Sequence, residues 1–108
     1  MKRKQFIVRQ GDVLIKRIDK IPVGLSRVEP EQGRIILAHG EVTGHHHSID
    51  SDGVDWWKQE GSQDQFLEVR TATKVVHQEH AALDLPKGKY RVRRQREYTP
   101  EAIRNVAD

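Results

Sequence analysis

The sequence predicts an all-β fold, a small single-domain barrel or sandwich with a short C-terminal helix. Three observations support this: apolar residues fall in short β-rich runs, Gly, Pro and Asp separate those runs, and helix signals occur only near the end. A length of 108 residues fits one β domain spanning 1–108. The chain has no cysteine, which excludes disulfides and thiolate metal ligands.

The predicted strands are separated by residues that favour turns. Gln10-Gly11-Asp12 is a predicted turn because glycine tolerates positive φ and aspartate bonds nearby backbone groups. Asp50–Gly53 (DSDG) is the clearest hairpin signal, so the strand after it is expected to return across the strand before it. In chain order the expected strands are Gln5–Arg9, Val13–Ile18, Leu25–Val28, Arg34–His39, Val42–Ile49, Val54–Lys58, Gln65–Thr71, Thr73–Gln78 and Lys89–Glu97, the last preceded by Leu83–Pro86.

The C-terminal residues carry a different signal. Thr99 is a good helix N-cap, Pro100 suits the first helical position, and Glu101 would lie near the positive end of a helix. One or two helical turns are therefore expected to finish the chain.

The charge of the chain is small overall but unevenly distributed. The net charge is +3, with basic excess in residues 1–20 and 87–97 and acidic excess in residues 41–64. No apolar run approaches the roughly 20 residues needed to span a bilayer, and the run after the basic start is too short for a signal peptide. We therefore expect a cytoplasmic protein without membrane association, and a homo-oligomer is compatible with the composition.

The last predicted strand offers one candidate interface. It presents Arg91, Arg93, Arg94 and Arg96 among tyrosines, and arginines interleaved with aromatic side chains can bind phosphates and stack on bases. Together with the basic start Lys2-Arg3-Lys4, this strand could bind nucleic acid or a protein partner. The other interpretation is that Arg94 and Arg96 pair with the acidic middle segment.

The histidines form the most distinctive pattern in the chain. Four of the six fall in two groups, Gly44-His45-His46-His47 and His77-Gln78-Glu79-His80. On a strand, His45 and His47 would share one face and His46 the other, while His77 would share a face with Glu79. A strict strand would turn His80 away from His77, unless the chain turns near Ala81. The alternatives are solvent-exposed histidines and, for His39, a structural role.

Two such histidine groups side by side predict a metal site. The expected ligands are His45, His47, His77 and His80, with Glu79 as a further ligand or a general base. Imidazole and carboxylate suit divalent Zn, Fe, Mn or Ni. Three ligands and an open position would activate water for catalysis on an unidentified small molecule, whereas four would make a structural or binding site. The sequence leaves both open, so whether the protein is an enzyme stays undecided.

The histidine motifs also carry family resemblances. Residues 40–90 resemble a shortened cupin arrangement in the His-x-His of Gly44–His47, although no Glu follows at cupin spacing. The stretches GEVTGHHHSI, VVHQEHAALDLPKGKYRV and QREY resemble an uncharacterised family of small bacterial proteins with GEVTGHxH, HxEH and LPxGxYRVxxQREY motifs. That resemblance implies a role for His45 and His47 rather than His46, together with His77, Glu79 and His80, and implies no activity.

A third resemblance concerns the first half of the chain. DVLIKRIDKIPVG followed by GRIILAHGEV resembles the small barrel of the ten-kilodalton co-chaperonins. It implies that the GRIIL stretch, residues 33–37, would be an apolar mobile-loop contact. It gives no role to the histidines.

Overall fold

The computed structural model describes residues 6–39 and 44–94, all of them in strands, turns and connecting segments. The strands are β1 (Ile7–Gln10), β2 (Val13–Ile18), β3 (Ser26–Arg27), β4 (Arg34–His39), β5 (His46–Asp50), β6 (Val54–Lys58), β7 (Gln65–Val69), β8 (Thr73–Val76), β9 (Leu83–Leu85) and β10 (Gly88–Arg94). The all-β class is confirmed. No described residue belongs to a helix that could cross a membrane. The C-terminal helix expected at Thr99 and Pro100 lies outside the described residues.

The strands form two antiparallel sheets rather than a closed barrel. One sheet has the order β1-β2-β10-β7-β6-β3, and the other has the order β4-β5-β8-β9. The barrel expectation is therefore wrong, because in the described residues no strand ladder joins the edges of one sheet to the other. The alternative of two packed sheets agrees with this strand order. The sequence could not distinguish the two, because alternating apolar residues are expected both in a closed barrel and in two layers.

A single apolar core receives side chains from both sheets. The larger sheet contributes Ile15, Leu67 and Tyr90, and the smaller contributes Ile35 and Ile49, all fully buried. Because Ile35 and the buried Leu37 lie on β4, the GRIIL stretch is part of the core. The mobile-loop role implied by the co-chaperonin resemblance is not what these residues do.

The DSDG segment forms the expected turn but not the expected hairpin. Gly53 has φ of 72°, and the Asp50 carboxylate accepts a hydrogen bond from the Asp52 N–H at 2.9 Å. β5, however, is already paired with β4 on one side and β8 on the other. β6 therefore crosses to the larger sheet, where it pairs with β7 and buries Val54 and Trp56 against the core.

The strand expected at Thr73–Gln78 ends earlier, at Val76. β8 pairs with β9 through Thr73, Lys74 and Val75, and the chain between them forms a loop of bends and irregular segments. His77 to His80 therefore lie in the β8–β9 loop. The strand alternation expected to govern them does not apply there, and this loop allows both histidines to face the start of β5.

Candidate metal centre

Four histidine rings meet where the β8–β9 loop passes the start of β5, and we call His45, His47, His77 and His80 the histidine cluster. Ring centroids of His47 and His77 are 4.4 Å apart, and those of His77 and His80 are 4.6 Å apart. The rings of His45 and His77 are separated by 5.7 Å, and those of His47 and His80 by 5.9 Å. The fold thus brings together all four histidines that the sequence analysis singled out.

The remaining two described histidines lie elsewhere. The ring of His46 is 6.3 Å from that of His39, and its Nδ1 is 3.2 Å from the carbonyl oxygen of Gly44. The backbone N–H of His46 donates to the side-chain oxygen of Gln78 at 2.8 Å, which ties the β8–β9 loop to β5. This bond between the two segments helps to hold His77 and His80 against His47.

His47 is the buried member of the cluster, with only 3% of its surface exposed. Its side chain lies on the core-facing side of β5, as does the side chain of Ile49. Its Nδ1 lies 2.8 Å from the side-chain oxygen of Gln10, itself buried at the end of β1. The Gln10 amide nitrogen donates to the carbonyl oxygens of Val75 at 3.1 Å and Ala81 at 2.9 Å.

Two histidines of the cluster, His47 and His77, have pKa values shifted toward the neutral form. Burial, followed by the neighbouring His77, lowers the pKa of His47 from 6.5 to about 4, although Asp12 acts in the opposite direction. Burial and the nearby His80 and His45 also lower the pKa of His77. A metal ion needs neutral imidazole, and lowered pKa values favour that form at neutral pH.

Glu79 lies at the solvent side of the cluster. Its Oε1 is 3.5 Å from Nδ1 of His45, and its side chain is 65% exposed. Its backbone N–H donates to Nδ1 of His77 at 3.0 Å. In the neutral state of His77 this bond uses the lone pair of Nδ1 and places the ring proton on Nε2, so His77 would bind a metal only after this hydrogen bond breaks and the ring turns or changes tautomer.

The Gln10-Gly11-Asp12 turn belongs to the site, although the sequence analysis treated it only as a connection. The Oδ1 atom of Asp12 is 3.7 Å from Nε2 of His47. A Cβ on Gly11 would stand 2.9 Å from Nε2 of His80, so glycine makes room for that ring. Nothing in the local pattern distinguishes this turn from an ordinary one, because its partners are far away in the chain.

The chemistry of these side chains fits a transition metal better than their present spacing does. Imidazole nitrogen and carboxylate oxygen are the donors that zinc and iron take in cysteine-free sites. Within residues 6–39 and 44–94, however, no group of three or more His, Asp or Glu side chains could hold a metal ion as it stands. Binding would require side-chain rotation, and the exposed β8–β9 loop is where rotation costs least.

The arginines of the other candidate interface are largely engaged within the chain. Arg93 binds both carboxylate oxygens of Asp64, each at 2.9 Å, and Arg94 Nε donates to Oδ2 of Asp12 at 2.7 Å. The partner in the acidic middle segment is thus bound by Arg93, whereas Arg94, for which that pairing was expected, pairs with Asp12 in the β1–β2 turn instead. Arg91 is half-buried on β10, and Arg96 lies outside the described residues.

Comparison with known proteins identifies a family but no activity. No curated protein and no solved structure matches this chain. A family model described as "Domain of unknown function (DUF8820)" matches residues 9–95, a stretch that includes both histidine groups and the Gln10-Gly11-Asp12 turn. Since that match covers most of the chain, the protein belongs to the DUF8820 family.

Proposed function

We propose that this protein binds one divalent transition metal, Zn, Fe, Mn or Ni, through His45, His47, His77 and His80, with Glu79 as a further ligand or base. The observation that carries the proposal is a cluster of four imidazoles in which the ring of His77 contacts those of His45, His47 and His80, and in which His47 is buried and hydrogen-bonded. Histidines without a ligand role are ordinarily dispersed and solvated. Here the fold instead buries His47, places His77 and His80 beside it, and places His45 beside His77.

The surroundings of His47 support this proposal. A metal-binding histidine ordinarily bonds through its other ring nitrogen to a carbonyl, carboxylate or similar acceptor, which fixes the ring orientation. Gln10 supplies such an acceptor at 2.8 Å from Nδ1, leaving Nε2 for a metal. The lowered pKa of His47 removes the competing proton at neutral pH.

The number of histidine ligands, together with Glu79, would determine whether the metal site is catalytic. Three histidine ligands would leave a coordination position for water, and the exposed Glu79 carboxylate could then accept a proton from it. Four histidine ligands would close the site and make the protein a metal-binding module. Ligand count is therefore the quantity that separates catalysis on a small molecule from binding alone.

The nucleic-acid alternative has less support. Arg93 and Arg94 each bind an aspartate of this chain, so using them on phosphates would first break those pairs. Salt-dependent binding of an oligonucleotide is the property that would favour it.

Metal analysis of protein purified without a histidine tag tests the proposal. We expect about one metal per chain, with its affinity measured by calorimetric titration of Zn²⁺ or Ni²⁺ into chelator-treated protein. His77→Ala and His80→Ala, both in the loop, should each weaken binding, and the double variant His45→Ala/His47→Ala should abolish it. His39→Ala and His46→Ala are matched controls that should bind as the wild type does.

Thermal unfolding gives a second test, because metal binding should also raise the stability of the folded chain. A metal that binds only the folded chain adds about 2.7 kcal/mol when its concentration is a hundred times Kd. A chelator should therefore lower the melting temperature of the metal-loaded protein and leave the double variant unchanged. Equal metal content in the wild type and the double variant would contradict the proposal.

A further inference from the structure

Asp12 lies next to the histidine cluster, and the role inferred for it rests on the proposed metal site. Its carboxylate faces the buried ring of His47, with Oδ1 3.7 Å from Nε2. That separation exceeds the range of a hydrogen bond. Asp12 lies in the turn between β1 and β2 and His47 lies on β5, and each is held by a separate partner on its far side.

Gln10 determines which nitrogen of His47 carries the proton. Both hydrogens of the Gln10 amide are used on carbonyl oxygens of Val75 and Ala81, so the atom facing His47 is the amide oxygen. An oxygen accepts, and therefore Nδ1 of His47 must donate. In a neutral imidazole the other nitrogen, Nε2, then carries a lone pair.

Arg94 holds the carboxylate of Asp12 in a comparable way. Its Nε donates to Oδ2 at 2.7 Å, which turns Oδ1 toward His47. A lone pair on nitrogen thus faces a lone pair on a carboxylate oxygen, and neither atom can donate to the other. A cation between them would be bound by both.

The spacing of the two atoms suits such a cation. Two donors bonded at about 2.1 Å to one tetrahedral zinc ion lie about 3.4 Å apart. The observed 3.7 Å requires a shift of a few tenths of an ångström. Gly11, between Gln10 and Asp12, leaves the room into which Nε2 of His80 approaches.

We infer that Asp12 is a ligand of the metal held by the histidine cluster, sharing it with Nε2 of His47. Gln10 and Arg94 act as positioning residues for these two ligands. The turn between β1 and β2 is thereby part of the metal centre, and the donor set is mixed nitrogen and oxygen. Such a set binds Zn²⁺, Fe²⁺ or Mn²⁺ through a carboxylate as well as imidazoles.

Zn²⁺ titration of Asp12→Asn tests this inference, because asparagine keeps the size of the side chain and loses its charge. Loss of an orienting partner ordinarily costs roughly 10- to 100-fold in metal affinity, and loss of a ligand should cost more than that. The matched control is Asp84→Asn, since Asp84 is exposed and pairs with Lys74 on the β8–β9 hairpin. The control should bind Zn²⁺ as the wild type does.

A second measurement needs neither the variant nor the metal. Nitrogen-15 NMR of the metal-free wild type should show that His47 is protonated at Nδ1 and unprotonated at Nε2. A proton on Nε2 would make His47 a donor to Asp12 and overturn the inference, even if Asp12→Asn fails to fold.

The outcomes separate this inference from the proposed function. If the wild type binds Zn²⁺ and Asp12→Asn binds it equally well, Asp12 is no ligand, while the histidine site stands. If the wild type binds no Zn²⁺, Fe²⁺, Mn²⁺ or Ni²⁺, both the site and the role of Asp12 are wrong. A selective loss in Asp12→Asn, together with the expected tautomer, supports both.

Discussion

Two regions rich in basic side chains, the histidine cluster and strand β10, lie beside each other and are linked through Asp12. The arginines of β10 keep their charge and neutralise it with carboxylates, as in the paired contacts of Arg93 with Asp64. The histidines do the opposite, since burial and mutual proximity hold His47 and His77 toward the neutral state. A strand of paired charges is typical of a stable surface, whereas the gathered imidazoles, two of them with lowered pKa values, are the arrangement on which the proposed metal site rests.

The largest expected effect is the loss in free energy of unfolding caused by His47→Ala. His47→Ala would open a cavity and leave the side-chain oxygen of Gln10 without its donor, which together should cost about 3 kcal/mol in free energy of unfolding. His80→Ala, in the exposed loop, should cost at most about 0.5 kcal/mol. Urea unfolding of metal-free protein measures both. Similar losses in the two variants would show that His47 has no special structural role.

The two regions should lose their contributions to the free energy of unfolding in different pH ranges. The unfolded chain protonates His47 near 6.5 but the folded chain only near 4, so the contribution of neutral His47 is complete above pH 6.5 and is lost as the pH falls toward 4. At about 1.4 kcal/mol per pKa unit, the loss approaches about 3 kcal/mol. Urea unfolding with a chelator present, from pH 7.5 to 4, measures it.

The Arg93–Asp64 pair should respond only at lower pH. The hydrogen bond from Arg93 lowers the pKa of Asp64 below 3.8, so its contribution is present above 3.8 and is lost as the pH falls further. His47→Gln should flatten the stability profile between pH 6.5 and 4, and Arg93→Ala should not. A wild-type profile that is already flat in that window would contradict the assignment of His47 as a buried neutral side chain.

Gly11→Ala should have an intermediate effect. Gly11 has φ of 59°, where alanine costs about 1–2 kcal/mol, and its Cβ would also press on Nε2 of His80. Gly61→Ala is the matched control, because Gly61 has φ of 76° and open space around it. Both variants should lose similar stability, but only Gly11→Ala should weaken Zn²⁺ binding. Equal Zn²⁺ affinity in the two would show that the room beside Gly11 is not needed by the site.

The smallest effect is expected on β10. Arg93→Ala removes an ion pair at the surface in which the arginine side chain is 47% exposed and the aspartate side chain 14% exposed. Surface ion pairs contribute at most about 1 kcal/mol. Thermal unfolding in low and high salt checks this, since screening should shrink the difference. If Arg93→Ala instead leaves stability unchanged but abolishes salt-sensitive binding of a short RNA or DNA, the arginine strand is an interface after all.

The bounds of several strands could be predicted from the local sequence pattern. The β2, β4 and β6 bounds follow directly from runs of apolar residues bounded by turn residues, as in Val13–Ile18 after Gly11. Sheet membership could not be predicted, because the DSDG turn is compatible both with a hairpin and with a crossing between layers. Only the competition for the two edges of β5, filled by β4 and β8, sends β6 to the other sheet.

The sequence by itself determined the chemistry of the candidate site: a cysteine-free chain with two histidine groups offers imidazole and carboxylate donors. Tertiary structure alone decided which residues serve one another. Gln10 lies 37 positions from His47 and reaches it because β1 ends beside β5 in space, while Arg94 turns the Asp12 carboxylate from 82 positions away. The physical reason is that hydrogen bonds and charge pairs depend on distance in space, whereas sequence patterns record only neighbours along the chain.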